Sequence, residues 1–213
     1  GWTGRDPERR REVKGLKQLF PSRVAVFSLD EASSLRRGIH PDGVVRISYD
    51  EIEPEDVELL AETLNLTPIA VQAAHKLPGY QHWGRHWLQE FIALGSENLL
   101  EAARALNEPP QSMNNLHRGL SRFKRLTFLQ ARVEEDSVRS ILEYLERGTH
   151  VVLEFGSYGR SLEAYILVAN VLARRIHERY VKQVEESMGS GGQGPRPLVI
   201  VIEEAHKFLN PQV

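Results

Sequence analysis

No cysteine occurs anywhere in the 213 residues. Disulfides and thiolate-bound metal centres are therefore excluded, and a reducing, cytoplasmic setting is the default expectation. Long apolar runs are missing too. None approaches the roughly 20 residues that a membrane span needs, and the opening Gly1-Trp2-Thr3-Gly4-Arg5-Asp6-Pro7 lacks the apolar stretch of a secretion signal. Nor does one charge dominate, since 27 Lys and Arg stand against 29 Asp and Glu for a formal net charge of −2. That balance leaves no global basic footprint for nucleic acid. Two local basic clusters remain: Arg9, Arg10, Arg11, Lys14 and Lys17 near the start, and Arg122, Lys124 and Arg125 with Phe123 interleaved. Clusters of this size are more often solvated faces than binding sites.

What is present is a composition of ordinary globular kind, 41% hydrophobic and 26% charged, in a chain long enough for one domain or two. Its most informative stretch is Leu198-Val199-Ile200-Val201-Ile202-Glu203-Glu204-Ala205-His206, five aliphatic residues running into two carboxylates. The uninterrupted run predicts a strand buried on both faces, in the interior of a parallel sheet. Acids at the carboxyl end of such a strand lie where open α/β sheets bind ligands. They suit Mg²⁺ and the polarisation of an attacking water. The plainer reading is a solvated strand end entering the first turn of a helix, where negative charge suits the dipole. Glu203 and His206 also form one E-x-x-H pair, but a di-iron bundle needs two such motifs and further carboxylates.

Four segments read as strands: 23–29, 44–48, 150–155 and 198–202. Helices are expected from Pro54, from Thr67-Pro68, and over about 86–94, 97–106, 112–126 and 134–146. After the turn Gly156-Ser157-Tyr158-Gly159, a long helix over 161–187 should bury a face of Leu162, Tyr165, Ile166, Ala169, Leu172, Ile176, Tyr180 and Val184. The Gly-rich linker 188–197 then returns the chain to 198, a βαβ crossover that implies a parallel sheet.

Residues 51–148 are too many for one crossover and read as a helical insertion between a first core part, 1–50, and a second, 149–213. Trp83, Trp87, Leu88 and Phe91 are expected in its core. His75, His82 and His86 are separated by a Pro78-Gly79 break and lack a regularly spaced fourth ligand, which disfavours a metal site.

The set Val151-Val152-Leu153-Glu154-Phe155-Gly156-Ser157, the long helix with Asn170 and Leu172-Ala173-Arg174-Arg175-Ile176, and 199–209 resembles the HerA-like branch of the HerA/FtsK superfamily. The early Lys14-Gly15-Leu16-Lys17-Gln18-Leu19-Phe20-Pro21 leading into Val24-Ala25-Val26-Phe27 is similar to the region after that family's second core strand. The resemblance implies an α/β fold with a RecA-like P-loop NTPase core, here incomplete and carrying the helical insertion. It implies a hexameric, ATP-driven DNA translocase or helicase acting in DNA end processing with a partner nuclease, or in a related defence or conjugation role. ATP and Mg²⁺ would be its cofactors, DNA and copies of itself its partners. Glu203 matches the acid that supports Mg²⁺, Glu204 the catalytic acid that activates water, and His206 a residue coupling the γ-phosphate to a subunit interface. Many related ATPases carry Asp at the Glu203 position. Arg122, Lys124 and Arg125 are the candidate DNA contacts; because subunits of a ring add their charges, few basic residues per subunit suffice.

Such a nucleotide site needs a Gly-rich loop ending in Gly-Lys-Ser/Thr, and none occurs in the sequence. Gly189-Ser190-Gly191-Gly192-Gln193-Gly194 precedes a strand and has no Lys-Ser/Thr, and Gly156-Ser157-Tyr158-Gly159-Arg160 also lacks Lys. The expectation is therefore a piece of a longer protein, with the phosphate loop before Gly1, an arginine finger after Val213, and no ATP hydrolysis by the 213 residues alone. The alternatives are a non-catalytic α/β scaffold or interaction domain, and a metal-dependent hydrolase built on Glu154, Glu203 and Glu204.

Overall fold

The computed structural model describes residues 2–3, 12–13, 15–190 and 194–203. Two short strands, β1 (Trp2–Thr3) and β2 (Glu12–Val13), pair antiparallel. A turn of helix, α1 (Leu16–Leu19), leads into β3 (Val24–Ser28), followed by α2 (Glu31–Arg36), β4 (Gly43–Val44) and β5 (Ile47–Ser48). The helical middle holds α3 (Pro54–Leu59), α4 (Ala61–Leu64), α5 (Pro68–Ala74), α6 (Trp87–Ala93), α7 (Ser96–Ala105) and α8 (Pro110–Leu120). After it come β6 (Leu129–Gln130), α9 (Ser137–Glu146), β7 (His150–Glu154) and the long α10 (Leu162–Ser190). Among the described residues no helix is long and apolar enough to cross a membrane.

Local chemistry sets many of these boundaries. Asp30 caps α2 by accepting the Ser33 N–H at 2.9 Å, and Thr67 caps α5 through the Ala70 N–H, with Pro68 at the first helical position. Asn65 closes α4 in the left-handed region at φ 54°, a conformation that Asn tolerates better than most residues.

The sheet runs β4-β3-β7 and all its strands are parallel, with Val24 opposite His150 and Ser28 opposite Glu154. A second parallel pair joins β5 to β6. The molecule is thus mixed α/β with a short parallel sheet, but the crossover expected from 150–155 to 198–202 adds no strand to it among the described residues. The expected 44–48 strand is divided between the two pairs, and β6 was not anticipated because two residues carry no periodicity. Buried residues from Ala25 to Ile176 form one hydrophobic cluster that takes in the strands, the helical middle and α10. Trp87, Leu88 and Phe91 lie in it as expected, and the Trp87 indole N–H donates to the Ile52 carbonyl at 3.0 Å. Trp83 is half-buried, edge-on to Tyr80. His75 faces Glu55 and Glu58 while His86 faces Asp50, so these two histidines serve different neighbours.

Two expectations about the final third require correction. Residues 198–202 are not a strand buried on both faces: they pair with no strand among the described residues, and Val199 and Val201 are 81% and 79% exposed. Burial on two faces needs a layer on each side; here Leu198 packs against the core, and with Pro197 and Ile200 it borders a groove along α10 lined by Ile176, Tyr180 and Val184. The buried face of α10 is also rotated from the one expected. It comprises Ala164, Leu167, Val168, Val171, Leu172 and Ile176. Helix α10 therefore has two apolar flanks, one sunk in the core and one carrying the return segment.

A network of charge seats α10. Asp56, 1% exposed, receives Arg174 at 3.0 Å and the Asn170 amide. Burial raises the Asp56 carboxyl above its ordinary range despite these partners. Arg175 reaches Glu51 at 2.7 Å and Asp136 at 3.2 Å, and Arg179 reaches Asp136 at 2.7 Å. Asp136 also caps α9 through the N–H groups of Val138 and Arg139. Burial pushes its carboxyl up, but the Arg139 amide and the two guanidiniums outweigh this and hold it below the usual value.

A depressed carboxyl contributes stability above the unfolded-state pKa near 4 and loses it as pH falls through the folded value. Asp136→Ala should therefore destabilise by about 1–2 kcal/mol at pH 7, the scale of a lost cap. In urea titrations the gap from wild type should narrow progressively below about pH 4; a gap independent of pH would count against the charged role.

Candidate functional site at the carboxyl end of the parallel strands

The carboxyl ends of β3 and β7 come together in a knot of polar groups. Ser28, fully buried, shares a hydrogen bond with the Ser34 hydroxyl at 2.8 Å, and Ser34 donates onward to the Glu154 carboxylate at 2.8 Å. Arg37 completes the set with an ion pair to Glu154. Beside it, the second Asp30 oxygen accepts from the Ser157 hydroxyl and from the Ser157 N–H at 3.3 Å. The Ser157 hydroxyl, with the amides of Ser33 and Ser157 and the nearby Arg36 charge, holds the Asp30 carboxyl below its usual range against a modest burial penalty.

The turn between them is fixed by Gly156 at φ +58°, where a Cβ would meet the Asp30 Cβ at 2.7 Å. Any other residue would be both strained and obstructed there. The turn continues into Tyr158, whose hydroxyl accepts the Thr127 N–H at 3.0 Å and shares a 2.7 Å bond with the Thr127 hydroxyl. Carboxylate, amide and hydroxyl groups from three parts of the chain thus converge where open parallel sheets place ligands.

The return segment reaches the same level. Phe155, directly after β7, stacks on Tyr165 with ring centroids 4.4 Å apart and planes 10° from parallel. The Tyr165 hydroxyl donates to the Glu203 carbonyl at 2.6 Å. Glu203 itself is exposed, and among the described residues its carboxylate has no cationic partner. Glu204 and His206 lie outside the described residues. Glu154 is committed to Ser34 and Arg37, which does not fit a carboxylate cluster open to a metal, and among the described residues no three His, Cys, Asp or Glu gather to hold one. An exposed carboxylate such as Glu203 does suit a hard, partly hydrated cation such as Mg²⁺.

The three expected DNA contacts have unequal surroundings. Arg122 pairs with Glu163 and donates to the Thr63 carbonyl at 3.2 Å. The Lys124 ammonium donates to the Ile92 carbonyl at 2.7 Å in the last turn of α6, complementing the negative end of that helix. Arg125 is exposed, and no carboxylate pairs with it among the described residues. Of the early basic cluster, Lys17 pairs with Asp42 at 2.8 Å, while Arg9, Arg10, Arg11 and Lys14 lie outside the described residues.

Sequence reasoning missed Asp30, Ser34, Arg37, Ser157 and Tyr165. The spacing of Asp30 to Ser33 after a strand carries a capping signal. Nothing along the chain brings Ser157 to Asp30 or Tyr165 to Glu203.

The arrangement defines an α/β protein with a knot of polar groups at the carboxyl end of its short parallel sheet. Residues 7–176 match the family described as helicase HerA, central domain; the chain belongs to that family, which consists of ATPases of the HerA/FtsK type. The match ends before Glu203 and Glu204. No curated protein and no solved structure matches the chain.

Ser157→Ala should raise the Asp30 titration toward the ordinary Asp value, followed by ¹³C NMR of the side-chain carboxyl. An unchanged titration would remove Ser157 as the cause.

Proposed function

We propose that this chain is part of an ATP-driven DNA translocase or helicase of HerA type, working as a hexamer on a RecA-like core. The observation that carries the reading is the family match over residues 7–176, followed in the sequence, after the segment that returns along α10, by the acids Glu203 and Glu204. Glu203 would hold Mg²⁺, and because its side chain is one methylene longer than Asp, through an intervening water. Glu204 would orient and deprotonate the attacking water, and His206 would relay the state of the site to a neighbouring subunit. Bound Mg-ATP supplies the γ-phosphoryl group and the charge that these residues address. DNA would be the second ligand, with a nuclease as partner in DNA end processing or a related defence role, in the cytoplasm.

Free side chains favour Arg125 as the DNA contact. Arg122 and Lys124 would have to leave Glu163, Thr63 and Ile92 to reach a phosphate. The polar knot at Asp30, Ser157, Ser34, Arg37 and Glu154 supports the reading as a hydrogen-bonded floor at the carboxyl end of the strands, of the kind that preorganised catalysis requires.

In the full-length protein, Glu204→Gln should lower ATP turnover by at least about 100-fold while leaving Mg-dependent nucleotide binding intact. No Mg-dependent thermal stabilisation of the wild-type full-length protein by nucleotide would instead favour a non-catalytic scaffold. Arg125→Glu should leave folding unchanged and reduce the slope of log affinity for DNA against log salt by about one. An unchanged slope would take Arg125 out of the interface.

A further inference from the structure

Between the end of α10 and Glu203 the chain is held by two tyrosines of the same helix. Tyr180 donates to the Arg196 carbonyl at 3.0 Å, and Tyr165 donates to the Glu203 carbonyl at 2.6 Å. The two anchors are commensurate. Fifteen residues of helix separate Tyr165 from Tyr180, about 22 Å along its axis, and the seven steps from Arg196 to Glu203 span about 23 Å of extended chain. The return segment is therefore drawn straight along α10 with no slack. A slip of one residue would turn every side chain to the opposite face.

The Tyr165 anchor acts on the peptide that joins Glu203 to Glu204, because the accepting carbonyl belongs to that peptide group. The ring of Tyr165 is in turn stacked on Phe155 at the end of β7, so the Glu203 main chain is linked to the sheet through the Tyr165 side chain. We propose that Tyr165 is a positioning residue for Glu203, and through the shared peptide for the Glu204 that follows it in sequence, holding the Glu203 main chain at the carboxyl end of β7 with Phe155 as its support. This rests on the reading of Glu203 and Glu204 as the acids of an ATPase, and it adds the group that places them. Tyr165 touches no reacting atom; it acts by holding a backbone whose displacement by an ångström misplaces a catalytic carboxylate.

The test uses the full-length protein. Tyr165→Phe keeps the ring and its stack and removes the hydroxyl. The expected result is a fall of about tenfold or more in kcat for ATP hydrolysis, with KM for ATP and the thermal midpoint unchanged, and a shifted ¹³C resonance of the Glu203 carbonyl that has lost its donor. Phe155→Leu, which leaves the hydroxyl but removes its stacked support, should show a smaller loss of the same kind and carries the comparison if Tyr165→Phe does not fold. Wild-type kcat in both variants, a rise in KM with kcat unchanged, or an unmoved Glu203 carbonyl resonance in Tyr165→Phe would each overturn the proposal. Glu204→Gln separates the two levels. If it retains turnover, the ATPase reading of the acid pair fails and the proposal falls with it. If it abolishes turnover while Tyr165→Phe is normal, only the positioning role is lost.

Discussion

The buried carboxylate of Asp56 governs the placement of the longest element in the molecule. An acid with 1% exposure is costly unless its charge is met, and it is met from one side of α10 by Arg174 and Asn170. Arg175 and Arg179, further along the helix, fasten to Glu51 and Asp136. These contacts fix both the rotation and the height of α10. Because the return segment lies on the opposite flank of that helix, the location of Glu203 follows from a salt bridge far from it in sequence. Removing one partner of such a pair is more damaging than removing both, since the charge left behind stays buried.

The candidate site shows the same economy. Glu154 sits at the end of β7, where a carboxylate is well placed for chemistry, yet it is neutralised by Arg37 and Ser34. Asp30 is spent on capping α2 and gripping Ser157. Both acids are committed to the polar knot, while Glu203 stays exposed; a hydrogen-bonded support of this kind is what preorganised electrostatics draws on.

Helix positions in the middle of the chain were legible because Pro54, Thr67-Pro68 and the periodic apolar residues carry local signals that the structure obeys. The strands at 23–29 and 150–155 were legible from their β-branched runs, although the parallel sheet joins them to each other and to β4, not to 198–202. The fate of 198–202 was not, since a run of β-branched residues reports a preference for extended backbone and says nothing of what covers it. The expected face of α10 illustrates the same limit: Tyr165, Tyr180 and Val184 do form an apolar flank, but it meets the return segment, and the core takes Ala164, Leu167 and Val171. The contacts that organise the site, Asp30 to Ser157 and Tyr165 to Glu203, join residues far apart along the chain, and spacing rules do not reach them.

The pairing of β3 with β7 bears on how the chain acquires its shape. Residues 24–28 have their main ladder partner at 150–154, so on a growing chain β3 is made long before the strand that completes its ladder. Loop closure over such a span costs only slowly more with length, but it delays the event, because contacts distant in sequence form late. The helices between the two strands are each no longer than 11 residues, too short to persist alone, so they depend on the same core that the closing of the β3–β7 ladder completes.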